Sequence, residues 1–141
     1  MLMTELPAFA GLSDFQKNTF VGACQARAVS AGEDLLSEEA AADSIFFVME
    51  GRLRVHVGGR ELATLEAPCV IGELELFTDE LRPVTVTALT AAETLYMPYA
   101  AFRQRLAGDD IAALKIAYNL AKVLAGRLAE TDRVVAGHSD A

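Results

Sequence analysis

Residues 71–88 read IGELELFTDELRPVTVTA. Gly72 and Glu73 precede a short apolar run, and a lone Arg82 stands on its far side. The run Val84-Thr85-Val86-Thr87-Ala88 follows at once, with the period of two that marks a strand. The segment is too short for a domain and too apolar for a plain surface loop. A glutamate and an arginine nine positions apart in a β-domain are, by themselves, usually a surface ion pair or nothing. Their meaning has to come from the flanks.

Upstream, residues 1–27 read as helical. Leu12, Phe15, Thr19, Phe20 and Cys24 recur at spacings that place them on or near one helix face. Ser13 with Gln16 three residues on has the capping-box pattern. From Val29 the period changes. Val29-Ser30-Ala31-Gly32 reads as strand and turn, and Ile45-Phe46-Phe47-Val48-Met49 as a buried strand stopped at Glu50-Gly51. Residues 52–57 alternate, Gly58-Gly59 is a hairpin signal, and residues 60–65 are the return strand. Residues 84–88 and 94–97 add two more strands. Short strands at this spacing predict a sandwich or barrel.

Downstream, residues 100–106 read as a short helix ended by Gly108. Asp109 or Asp110 then caps a long helix running to about Ala136, with Gly137 as its stop. Ile111, Leu114, Tyr118, Ala121, Ala125, Leu128, Asp132 and Val135 step by three and four, a heptad seam with one charged position. Ile116, Leu120 and Val123 form a second apolar row. Two stripes call for two partners, the β-domain and a second copy of the same helix. A single wide stripe on one core is the alternative, and the small Ala121 and Ala125 favour it.

Composition narrows the function. The 141 residues predict one domain, 52% apolar and 23% charged. The formal net charge of −8 opposes a phosphate backbone, so direct DNA binding is not expected. Cys24 and Cys69 form no CxxC pair and no metal spacing; they read as half-buried thiols of a reducing cytoplasm. The N-terminus MLMTELPAF lacks the pattern of a signal peptide, and no apolar run is long enough to span a membrane. The two histidines, His56 and His138, do not make a cupin-like metal site. Glu73 and Glu75, two apart in a helical turn, are expected to point in different directions. Catalysis is not expected.

The order helix, antiparallel β-roll, short helix, long helix, broken by GELEL…RPVTVTA, resembles the cyclic-nucleotide-binding domain family. That family includes the catabolite activator protein and the protein kinase A regulatory subunits. Ile71, Gly72, Glu73, Leu76, Arg82, Thr85, Val86 and Ala88 match its phosphate-binding cassette. Residues 9–13, 31–33 and 43–55 resemble its entry helix, first turn and central strands, so the likeness extends from about residue 6 to 130. It implies a mainly β fold, an antiparallel, jelly-roll-like β-roll with an N-terminal helix, a short cassette helix and a long C-terminal helix. The expected organisation is one domain over 1–141: an N-terminal helical segment over 1–27, a roll over 28–98 containing the cassette 71–88, and C-terminal helices over 99–136.

The resemblance also implies a ligand, cAMP or cGMP, and no cofactor. Gly72, Glu73, Leu74, Glu75, Arg82, Pro83, Val84 and Thr85 would form the binding set. Arg82 would fork onto the phosphate and Glu73 would accept the ribose 2′-hydroxyl proton. Gly72 and the N–H groups around Leu74 and Glu75 would make the cradle. Tyr118, Asn119 and Lys122 are the base-contacting candidates on the long helix.

Three departures bear on occupancy. Pro83 replaces a residue whose N–H would point at the phosphate. One lost charged hydrogen bond is about 1.5–3 kcal/mol, or roughly tenfold to a hundredfold in affinity. Glu75 replaces a small residue and either repels the anion, turns outward or pairs with Arg82. Residues 38–43 lack the family's turn glycines, and Pro68 stands where a glycine is common. Only six residues follow Val135, so a helix-turn-helix is not expected, and the chain reads as a stand-alone sensor signalling through its C-terminal helix. The alternative is a ligand-silent β-roll serving as a dimeric interaction module for a protein partner.

Overall fold

The computed structural model describes residues 6–40, 42–77 and 84–139. A 3₁₀ turn, Pro7–Phe9, leads to helix α1 (Asp14–Ala23). Six strands follow: β1 (Gln25–Val29), β2 (Asp34–Leu36), β3 (Ser44–Glu50), β4 (Arg52–Val57), β5 (Arg60–Glu66) and β6 (Cys69–Ile71). The short helix α2 (Leu74–Phe77) precedes β7 (Thr85–Ala88) and β8 (Ala92–Pro98). Helices α3 (Tyr99–Ala107) and α4 (Ile111–Ser139) complete the described chain.

The strands form two antiparallel four-stranded sheets, β1-β8-β3-β6 and β2-β7-β4-β5. The expected β-roll with flanking helices is borne out. Its centre is β3, because an unbroken apolar run can be buried on both faces. Ile45 and Phe47 turn to the helices, where Phe9, Phe20 and Phe102 meet them. Phe46 and Val48 turn into the roll, against Leu53, Val86 and Ala92. Phe20 stands edge-on to Phe47 at 5.6 Å and to Phe102 at 6.0 Å, an arrangement favoured by ring quadrupoles. Burying each such ring stabilises the fold by about 1.5–3 kcal/mol.

Several boundaries differ from the sequence reading. The first helix ends at Ala23, and residues 25–29, expected to begin helical, pair with β8. Alanine and arginine favour helix locally, but the backbone partners offered by β8 decide the outcome. The capping box is present: Ser13 Oγ accepts from the Gln16 N–H at 3.1 Å, and Gln16 Oε1 accepts from the Ser13 N–H at 2.9 Å. Phe15, placed on the inner face, is 79% exposed, while Leu12 and Phe20 are buried. β2 and β6, three residues each, are too short to carry a readable period.

The join between α3 and α4 falls where expected: α3 ends at Ala107 with Gly108 as its C-cap. The left-handed residue of the join is Asp109, at φ 59°. The Asp109 N–H bonds to Leu106 O at 3.2 Å and the Asp110 N–H to Arg105 O at 2.9 Å, closing α3. Asp110 opens α4: its Oδ1 accepts from the Ala113 N–H at 3.1 Å, and its Oδ2 meets Arg105 Nη1 at 2.7 Å. α4 runs past Gly137 to Ser139. Asp110→Ala removes both the cap and the ion pair. It is expected to lower the unfolding free energy by about 0.5–2 kcal/mol, measured by urea denaturation; an unchanged midpoint would contradict this role.

Candidate functional site

The site begins where β6 ends. Gly72 has φ +79°, and a Cβ there would lie 2.7 Å from the carbonyl oxygen of Ser44 on β3. No other residue fits without moving the strand. The tight passage delivers the chain through Glu73 into α2, whose first turn carries Leu74 and Glu75. Gly72 O accepts a hydrogen bond from the Tyr99 hydroxyl at the start of α3.

These residues form one end of a cavity of about 770 Å³. Val55, Leu62, Ala63 and Leu65 supply its wall from β4 and β5, and Cys69, Val70, Val84 and Val86 line it from the cassette side. Leu6, Pro7 and Ala8 close over it together with Leu120, Val123 and Leu124 of α4. Among the described lining residues only Glu73 and Glu75 are charged. An apolar hollow with a few polar groups at one end is the usual form of a small-molecule site.

The sequence-predicted residues fall into three groups. Gly72, Glu73, Leu74, Glu75 and Val84 line the cavity together. Glu73 and Glu75 both border the cavity, on either side of the first residue of α2. Thr85 is not in the lining. Strand alternation gives the cavity Val84 and Val86, and the buried Thr85 faces the other way. Its hydroxyl donates to Glu38 Oε1 and accepts from the Glu38 N–H, both at 3.2 Å. Arg82 and Pro83 lie outside the described residues.

The helix candidates are displaced by helical geometry. α4 turns Leu120, Val123 and Leu124 to the cavity, so Tyr118, Asn119 and Lys122 fall on other faces. Tyr118 is 64% exposed, with the Lys122 ammonium 5.5 Å from its ring centroid. Asn119 Nδ2 donates to Ala8 O and Ala10 O, both at 2.8 Å. That bond pair straps the N-terminal turn to α4. The sequence signal for the true lining was the second apolar row, Leu120 and Val123, whose spacing speaks only of packing. His56 sits on the outer face of β4, its Nε2 2.9 Å from Thr87 Oγ1. Among the described residues no group of three or more His, Cys, Asp or Glu could hold a metal.

Electrostatics follow from burial and the two glutamates. Burial raises the Tyr99 phenol far above its ordinary value, and Glu75, Glu73 and Asp43 add to the rise against Arg103. Burial and then Glu73 push Cys69 up to about 11; burial pushes Cys24 up to about 12 against Arg105. In the unfolded chain both thiols return to 9.0. The folded state thus holds these protons more tightly, so their contribution is full below pH 9 and is lost as pH rises through 11 to 12. Urea midpoints are expected to fall above pH 9. The combined Cys24→Ser, Cys69→Ser variant should fall less steeply, and an identical decline would contradict the assignment.

Comparisons with known proteins agree with this geometry. The family described as "Cyclic nucleotide-binding domain" matches residues 26–109. The chain is 32% identical over 127 residues to Glutaminase 1 of Bradyrhizobium diazoefficiens, covering 89% of this chain and 21% of that protein. It is 30% identical over 115 residues to the cAMP-dependent protein kinase regulatory subunit of Yarrowia lipolytica, covering 80% of this chain and 30% of that one. The chain thus spans less than a third of either relative. The crystal structure of the Thermus thermophilus catabolite activator protein superposes with a TM-score of 0.76 at 28% identity, over 94% of this chain and 63% of that one. The roll, the glycine-gated cassette and the family match together make this chain a member of the cyclic nucleotide-binding domain family.

Proposed function

We propose that the chain is a regulatory domain that binds cAMP or cGMP in the cassette cavity and reports occupancy through α4. The observation that carries this reading is the Gly72-Glu73 turn opening onto a cavity of about 770 Å³ that α4 itself covers with Leu120, Val123 and Leu124. The purine would occupy the apolar region, the ribose would meet Glu73, and Arg82 would take the phosphate. The names of the yeast kinase subunit and of the Thermus thermophilus "Cyclic AMP receptor protein" support cAMP as the first ligand to test.

A bound nucleotide would add contacts to the α4 cover in one position and not in another. The helix would then shift by the difference in those contacts. The seam face of α4 is open to a partner: Ile111 is 57% and Leu114 43% exposed, with Tyr118 beside them. We assign that face to a second copy of the chain. Leu128, Asp132 and Val135 of the seam lie outside the described side chains. The unpaired Cys24 and Cys69 are in keeping with a reducing cytoplasm.

The second reading, a ligand-silent interaction module, is favoured by one observation. Glu75 lines the same cavity as Glu73, so two acidic residues border the space an anion would enter. Isothermal titration with cAMP and cGMP decides between them. The sensor reading predicts dissociation constants in the micromolar range or tighter, lost in Arg82→Ala and tightened in Glu75→Ala. No heat and no thermal shift at millimolar nucleotide would sink it and leave the module.

A further inference from the structure

We propose that Tyr99 is a positioning residue for the anion end of the cavity: its hydroxyl fixes the Gly72-Glu73 peptide plane and thereby aims the Glu73 N–H. The Gly72-Glu73 bond is trans. In a trans peptide the C=O and the following N–H point in opposite directions. The Tyr99 hydroxyl donates to Gly72 O from the α3 side. The Glu73 N–H is therefore directed away from α3. Gly72 is the most permissive residue for rotation of that plane, so a fixing contact has an effect here that it would lack elsewhere.

Tyr99 is built to hold still. It is 7% exposed, its own N–H donates to Asp43 O at 2.8 Å, and the Arg103 guanidinium lies 5.6 Å from its ring centroid. Its raised pKa keeps the hydroxyl protonated, and so a donor, across the physiological range. Arg103 Nη2 reaches Leu76 O at 3.4 Å, placing a cation by the carbonyl end of α2. α3 thus grips the cassette turn just before α2 and again near its end. Neither residue lines the cavity, so neither is a ligand contact.

The test is Tyr99→Phe, which keeps the ring and its packing and removes only the donor. In the ligand-free protein, amide hydrogen exchange over residues 72–77 should accelerate, while exchange in β3 and the thermal midpoint stay close to wild type. By titration, cAMP binding should weaken about tenfold, the scale of one hydrogen bond. Adenosine, which lacks the phosphate, should lose much less, a split that general loosening would not produce. The binding arm rests on the nucleotide reading above. If the wild-type protein binds neither compound, that reading fails and the exchange arm alone decides the role of Tyr99. Unchanged exchange over residues 72–77, or equal loss for cAMP and adenosine, overturns the proposal.

Discussion

The chain can leave β6 for α2 only through a residue without a Cβ. At Gly72 the backbone turns at φ +79° against the Ser44 carbonyl of β3, in a space that a methyl group would overfill at 2.7 Å. Everything at the site depends on that passage. It ends a strand, starts a helical turn within two residues, and sets Glu73 and Glu75 at the end of a hollow rather than on the surface. β3 can serve as the unmoving wall because it is buried on both faces, between the aromatic cluster and the interior of the roll.

A second constraint joins the cover to the site. The cavity's roof comes from two distant segments of the chain, the N-terminal turn and α4. Asn119 bonds to Ala8 O and Ala10 O, and Lys115 Nζ reaches Gly11 O at 2.9 Å. These bonds make one roof of two segments. The opposite face of that helix is exposed at Ile111, Leu114 and Tyr118. Helical phase thus separates two faces: Leu120 and Val123 line the cavity, and Ile111, Leu114 and Tyr118 face outward.

Much of this was legible in the sequence. The unbroken apolar run of β3, the Gly58-Gly59 hairpin and the Ser13 capping box each follow local rules that the fold does not override. The cassette was readable because a glycine, a glutamate and an alternating strand keep a fixed order there. What escaped reading was set by distant partners. Residues 25–29 carry helical propensity and become a strand because β8 lies beside them. Asn119 has the chemistry of a base contact, but helical phase turns it to the N-terminal turn instead. Thr85 is a plausible phosphate donor until alternation hands it to Glu38. Tyr99 gave no signal at all, since its role depends on a carbonyl 27 positions away in the chain.

Entry of a nucleotide between the cassette turn and α4 is the central claim. It is tested most directly by two-dimensional ¹⁵N–¹H spectra of the protein during titration with cAMP. The largest shifts are expected on residues 72–77 and 120–124, with His56 and Thr87 on the outer face little moved. Saturating cAMP that leaves residues 72–77 and 120–124 in place would contradict it.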